Sequence, residues 1–379
     1  MVDLRMDVKN IFNQQASRTW PVKLASIVAS AATVLASSLA FADQFQRVYR
    51  APAYLGRGDT GVADADGAES IFYNPAGLAA GNGIFKEVVL IAPAVEVSSS
   101  TRSLISDVAT SDGGGETIST LTKHIGSNQH IAFSNLTAIV LRRAAIGILS
   151  STDTNVLVYK DPDQGGLEAV DASLYSTTGA TFSLADSFYN GSFLIGGTLA
   201  WYQRAQAELE IGLLEAQSLD TSDDLFGYGT TAPVTLGAMF VMSGKTPSSI
   251  GVTVHNLGDA HVSPAESGMS VDNLKQRIDL GYSIQTNSKV ATAKFLVDFI
   301  DLSSRYTTDA YKKLHLGAEV SLAKRFGFSA GLNQGGPCAG LFADLWILRA
   351  DVGFYTEEIG EKVGLRSDMR YFARLKAGF

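Results

Sequence analysis

The chain closes on MRYFARLKAGF, Met369–Phe379. Read in twos, Tyr371, Ala373, Leu375, Ala377 and Phe379 share one face, and Arg374 and Lys376 share the other. Side chains of a strand alternate between faces, so this is a strand with one apolar and one charged side. The same alternation recurs upstream. Leu314, Leu316, Ala318, Val320 and Leu322 oppose Lys313, His315 and Glu319. Leu348, Ala350, Val352 and Phe354 oppose Arg349, Asp351 and Tyr355. Ile278, Leu280, Tyr282 and Ile284 oppose Arg277, Asp279 and Ser283, and Ala291 to Phe299 oppose Lys294 and Asp298.

About fourteen such segments are expected, at roughly 85–98, 129–142, 144–159, 169–185, 192–205, 231–242, 248–256, 274–286, 289–301, 311–322, 325–333, 338–345, 347–356 and 369–379. Many reach the roughly 9–11 residues that cross a bilayer at a tilt. Their connectors alternate long and short: 99–128, 160–168, 206–230, 257–273, 302–310 and 357–368 are long, and the intervening ones are short. The stretch 334–337 breaks the rule by being short where a long one is due. Long outer loops and short periplasmic turns mark outer-membrane barrels. A soluble sandwich has no reason to sort loops by parity. The fold class read from the sequence is therefore all-β, a transmembrane antiparallel β-barrel of about fourteen strands.

Composition agrees. Charged residues are 18%, below the globular norm of about 25%, while hydrophobic residues are 46%. No apolar run after the leader is long enough for a helical span. Residues 1–42 read as a signal peptide: Arg18 and Lys23 precede the apolar run from Leu24, which ends in Ala40-Phe41-Ala42. Met1 and Met6 both remain as starts. Loss of Arg5, Lys9, Arg18, Lys23, Asp3 and Asp7 takes 30 basic and 38 acidic residues to 26 and 36, net −10. That balance gives no basic face for nucleic acid.

Cys338 has no partner for a disulfide and reads as a small loop residue. The five histidines lack metal-binding spacing, Gly56-x-Gly58-x-x-Gly61 lacks a preceding strand, and Asp64–Glu69 misses an EF-hand's ligand positions. No enzyme, cofactor or metal is expected.

Fourteen strands enclose a lumen too wide for wall side chains to fill. Residues 43–84 precede the first strand and carry SIFYNPAGLA, Ser70–Ala79, a bulky apolar knob on a backbone broken at Asn74-Pro75. They are expected to fold into the lumen as a hatch, leaving 85–379 as the barrel. Phe72, Tyr73 and Leu78 would then pack on the inner wall or meet a ligand. Lys275, Arg277, Asp279, Lys294, Asp298, Lys313, His315, Glu319, Arg349, Asp351, Arg374 and Lys376 would face the lumen, since a charge facing mid-bilayer costs about 2–4 kcal/mol. They are expected to pair across strands and with Asp59, Asp64, Asp66 and Glu69, either as plain polar lining or as a clamp for a substrate headgroup. The connector 206–230 is apolar for an outer loop. Its Leu213, Leu214 and Phe226 suggest a greasy entry or a seal on the rim.

GDTGVADADGAESIFYNPAGLA, Gly58–Ala79, resembles the N-terminal hatch of the FadL-like outer-membrane transporter superfamily, whose Asn-Pro-Ala element matches Asn74, Pro75 and Ala76, followed here by Gly77. GLNQGGPCAGLFADLWILRADVGFYTEEIGEKVG, Gly331–Gly364, is more similar to the PorV-like and TraF-like members. The terminal strand resembles the signal read by the barrel assembly machinery of the bacterial outer membrane. These resemblances imply a fourteen-stranded barrel with an internal hatch, embedded in outer-membrane lipids. They also imply transport of a hydrophobic small molecule, a fatty acid or something lipid-like. The alternatives are an interaction barrel with a secreted or transfer-system protein partner, and a barrel that retains a structural lipid.

Overall fold

A computed structural model describes residues 47–81, 85–103, 125–161, 167–212, 226–265, 270–323 and 325–379. The signal-peptide reading of 1–42 lies outside them. Fourteen antiparallel strands form one closed sheet. Strand β1 is built of two segments, Phe85–Ile91 and Ala94–Ser98, and β6 of two, Gly227–Thr231 and Val234–Met242. The others are β2 Asn128–Leu141, β3 Ala144–Asp161, β4 Leu167–Phe188, β5 Phe193–Gly212, β7 Ser248–His255, β8 Arg277–Asn287, β9 Ala291–Phe299, β10 Leu314–Leu322, β11 Phe326–Asn333, β12 Gly336–Asp344, β13 Leu348–Glu358 and β14 Ser367–Gly378. Neighbours in sequence are neighbours in space, and β14 closes the ring on β1 through Val89↔Gly378 and Arg374↔Ala94. Both broken strands carry a proline at the break, Pro93 and Pro233, where a missing N–H would otherwise interrupt a ladder.

The sidedness is inverted relative to a soluble protein. On β8, Arg277, Asp279 and Ser283 are buried while Leu280 and Tyr282 are 40% and 39% exposed. On β9, Asp298 is buried and Phe295 is 60% exposed. Apolar out and polar in is the pattern of a wall that faces lipid.

The outer surface also shows where lipid ends. On β3 the outward series runs Ile146, Ile148, then Ser150, Thr152. Ser150 is registered with Thr178 on β4, and Thr178 with Gln203 on β5. One row below, Ile148, Ala180 and Trp201 are registered in the same way. The apolar surface is therefore interrupted along a line that crosses three strands, with Trp201 beside it, as an interfacial aromatic should sit. Above the line, β3, β4 and β5 continue for many residues. At 18, 22 and 20 residues they far exceed the 9–11 needed to span, and they project beyond the membrane at the long-loop end. The chain is thus a transmembrane barrel of the outer-membrane kind.

Two expectations change and one is met. The connector 206–230 is strand at both ends: β5 runs to Gly212 and β6 begins at Gly227. The short 334–337 connector is a two-residue hairpin, with Asn333 paired to Gly336 and both Gln334 (φ 50°) and Gly335 (φ 80°) left-handed. That is the turn whose twist matches paired strands. Cys338 is a buried strand residue on β12, packed with Leu55, Tyr355 and Phe372.

Candidate functional site: the lumen and its N-terminal segment

Residues 47–81 lie against the inner wall. Locally their sequence makes short, interrupted pieces: a turn of helix at Pro52–Leu55, another at Ser70–Tyr73, and 3-10 turns at Gly67–Glu69 and Pro75–Ala79. Asn74 separates the last two in an extended conformation (φ −156°, ψ 105°), as the residue before a proline should. Its side chain is fully buried. Asn74 Oδ1 accepts from Ala76 N at 3.1 Å, while Nδ2 donates to Val62 O at 2.7 Å and to Ala238 O on β6 at 3.2 Å. Asn74 and Pro75 therefore tie the segment to itself and to the wall.

The remaining ties are spread around the ring. Gly61 N and Val62 N donate to Asp298 Oδ2 at 2.7 and 2.9 Å. His315 Nδ1 donates to Gly58 O at 2.7 Å, and Gly58 N donates to Cys338 Sγ at 3.0 Å. Ser249, Thr253 and Thr198 hydroxyls donate to Ala63 O, Tyr73 O and Ile71 O. The wall residues facing this backbone are often glycine. A Cβ on Gly251 would stand 2.2 Å from Val62 O, and one on Gly196 2.5 Å from Pro75 O. Only a residue with no side chain allows that approach.

Charged pairs add to these ties. Lys294 Nζ meets Asp64 at 2.9 Å, and Arg57 Nη1 meets both Asp64 and Glu319 at 3.1 Å. Arg374 bridges Glu69 at 2.6 Å and Asp351 at 2.7 Å; Arg349 also holds Asp351, at 3.0 Å. Lys86 meets Asp66 at 2.9 Å, and Lys376 pairs with Glu87. Burial opposes ionisation of Glu69, but Lys376 and Arg374 outweigh it and pull the carboxyl down to about 2. At Asp64 burial likewise opposes, and Lys294 with Arg57 prevails, so its pKa is lowered.

These placements sort the residues singled out above. Arg277, Asp279, Lys294, Asp298, His315, Glu319, Arg349, Asp351 and Arg374 all face the lumen. Lys275 does not: it precedes β8, is exposed, and sits 5.8 Å over the Tyr306 ring. Asp59 pairs within the segment, with Arg47 and Tyr73, instead of with the wall. Leu78 and Gly77 are buried. Leu78 packs in an apolar cluster with Ile71, Tyr73, Leu136, Val140 and Leu149. Phe226 stacks on Tyr228 at 6.2 Å, far in sequence from Phe72 and lining neither cavity described below. Leu213 and Leu214 lie outside the described residues.

Sequence reasoning missed a buried polar layer toward the long loops: Arg50 reaches Glu357 at 2.6 Å and Tyr355 at 2.9 Å, while Arg370 holds Asp368 at 2.7 Å. It also missed Arg57, whose guanidinium lies 3.8 Å from the Tyr54 ring centre. Arg370 could have been found by extending the Arg374 alternation back by four.

Two cavities flank the segment. The larger, about 600 Å³, is lined by Arg57, Asp64, Glu69, Lys294, Arg349 and Arg374 and reaches the short-turn end at Trp346 and Phe379. Its charges are paired with one another. The smaller, about 60 Å³, lies toward the long loops, near the depth of Trp201. Ile71, Phe72, Tyr49, Ala200, Tyr202 and Pro233 give it an apolar side, and His255, Arg277 and Asp279 a polar one. Phe72 is only partly buried and packs on Tyr49, ring centres 4.7 Å apart.

No protein-family model and no curated protein matches the chain. Among solved structures it is similar to the CymD monoaromatic hydrocarbon channel, at 12% identity and TM-score 0.48 over 88% of this chain and 98% of that one. It is similar to the Ralstonia pickettii toluene transporter TbuX, at 13% identity and TM-score 0.48 over 88% and 99%. It is also similar to a Pseudomonas aeruginosa FadL homologue, at 10% identity and TM-score 0.42 over 89% and 99%. Likeness at this level carries no cargo over to this chain.

Proposed function

We propose that this barrel passes a small, largely apolar molecule across the outer membrane, and that residues 43–84 are the plug that gates it. The observation that carries the reading is Phe72. It is a large aromatic at the edge of a lumenal cavity, left partly uncovered in a segment whose other aromatic rings, Tyr49, Tyr54 and Tyr73, are all buried. A purely structural plug gains by burying such a ring, worth roughly 1.5–3 kcal/mol for full burial. Leaving it beside Tyr49, Tyr202 and Pro233 suits a site that receives an apolar guest.

The charged vestibule on the other side fits release. A greasy molecule entering it meets paired charges and water, so it does not linger there. The C-terminal Tyr355, Glu357 and Glu358 support no partner surface. Tyr355 and Glu357 face the lumen network, and Glu358 accepts backbone donors from Gly360, Gly364 and Arg366.

Uptake of small apolar molecules into liposomes bearing the protein tests the reading. Uptake above empty liposomes that falls several-fold in Phe72→Ala supports it. Uptake no faster than with an unrelated closed barrel overturns it. Mass spectrometry of lipids retained by the washed protein separates transport from tight retention of a fatty acid or structural lipid.

A further inference from the structure

The cavity beside Phe72 is not uniformly apolar, and the division follows the strands. Ala200 and Tyr202 on β5 and Pro233 at the break in β6 supply one side. The other is a polar row: Thr198 is registered with Thr235, and His255 with Arg277. Behind it Arg277 Nε and Nη2 hold Asp279 at 2.9 and 2.8 Å, and His255 Nε2 stands 3.3 Å from the same carboxylate. Arg277, Asp279 and His255 are all nine-tenths or more buried. The row is fixed by the ladder, so it cannot turn away from a guest.

Size and polarity together constrain that guest. At about 60 Å³ the cavity has room for roughly four to six waters, at about 10–15 Å³ each, and its polar side offers them hydrogen-bond partners. An apolar cavity of about 150 Å³ is what accommodates a benzene ring dry. A ring therefore needs more room than the cavity offers as it stands, and where it seats it covers the polar row. A guest that cannot replace those hydrogen bonds loses affinity, and one that can does not.

We propose that this cavity selects a small ring compound carrying one hydrogen-bonding oxygen, of the phenol or cyclic-alcohol class, over the hydrocarbon of the same shape. The ring lies against Phe72, Tyr49 and Tyr202. The oxygen lies on the Thr235–His255–Arg277 row. The inference names the cargo class of the transport reading above and rests on it.

The test is equilibrium binding of p-cresol and p-xylene, which differ by hydroxyl against methyl, to the detergent-purified full protein. Bound compound is read by gas chromatography. The expected result is at least tenfold tighter binding of p-cresol, with the ratio falling toward one in His255→Leu and in Thr235→Val. Thr235, at a half-buried position, keeps the test available if the His255 variant does not fold. Equal binding of the two compounds by the wild type overturns the selectivity while leaving transport standing. So does a ratio unmoved in both variants. Binding of neither compound, with no uptake into liposomes, overturns the transport reading and this inference with it.

Discussion

Replacing Gly251 by alanine should open the barrel. Gly251 is on β7, paired to β6 and β8 on either side, and faces the backbone of the plug. The new Cβ would stand 2.2 Å from Val62 O and 2.8 Å from the Val62 carbonyl carbon. The closest comfortable C···O approach is about 3.3 Å, so one side must give by roughly 1 Å. The wall strand is held by two ladders, and the plug by isolated bonds, so the plug moves. Its Val62 and Ala63 neighbourhood then loses the bonds to Asp298 and Ser249, three in all. At about 0.5–1.5 kcal/mol each, with about 1–3 kcal/mol of overpacking, the closed state is weakened by several kcal/mol. Single-channel recording in planar bilayers should show conductance several-fold above wild type. Gly244→Ala is the control, since a Cβ there meets nothing within 4 Å. A folded Gly251→Ala barrel with wild-type conductance and a plug as protease-resistant as before would refute the reasoning.

Asp64→Asn, which removes the partner of Lys294 and of Arg57, should also raise conductance, and Lys294→Met should reproduce it; closed channels in both would show that these pairs do not hold the plug. The Glu69 carboxyl is depressed to about 2, so its pairing with Arg374 contributes stability above the unfolded value near 4.3 and loses it as pH falls through about 2. Conductance should accordingly stay low at pH 5 and rise between about pH 4 and pH 2, and Glu69→Gln should be leaky already at neutral pH; opening of the wild type at pH 5 contradicts this. Phe295→Arg puts a charge on an outward position of β9 and should destabilise the barrel by about 2–4 kcal/mol in urea titrations of vesicle-folded protein, an unchanged midpoint counting against the assigned lipid face.

The barrel was legible where its two faces differ in chemistry. From β8 to β14 most inward positions carry a charged, polar or glycine residue, with Leu296, Cys338 and Phe372 among the exceptions, so period two stands out. It fades over β2 and β3, because there the lumen side is apolar as well: Leu136, Val140 and Leu149 pack on the plug while Ile139, Ile146 and Ile148 face outward. The tall β3–β5 wall was read too short for a related reason. Beyond Ser150 and Gln203 the outward side mixes polar residues such as Thr152 and Ser176 with apolar ones such as Leu174, Ala205, Ala207 and Leu209, while inward Arg204, Gln206 and Glu208 are polar throughout, so the outward side loses its uniform character and the strand ends are harder to read. Lys275 was assigned to the lumen on letter parity alone, although the strand begins two residues later. In the site, the pairing of Asp64 and Glu69 with wall cations followed from charge cost. The bonds of Asn74, Gly58 and Val62 did not, since each has a backbone group on one side, which leaves no residue-type signature.

The plug meets its wall contacts in an order that has a kinetic consequence. Gly56 approaches Gly340 on β12, Arg57 and Thr60 approach Gly317 on β10, Gly61 and Val62 reach β9, β8 and β7, and Asn74 and Pro75 reach β6 and β5. Apart from Asp66–Glu69, which reach β1 and β14 through Lys86, Glu87 and Arg374, the segment therefore walks backwards through the strand sequence. Its first residues depend on strands made nearly last, and no subset of consecutive strands offers it a complete set of partners. Docking is thus expected as a terminal step, after β14 has found β1, which protease resistance of the segment followed during refolding would check. By then it is intramolecular within a finished cage, which removes most of the search that a late association would otherwise require. Until then the segment stays unpaired, and the assembling wall must close around an occupant that has not yet taken its seat.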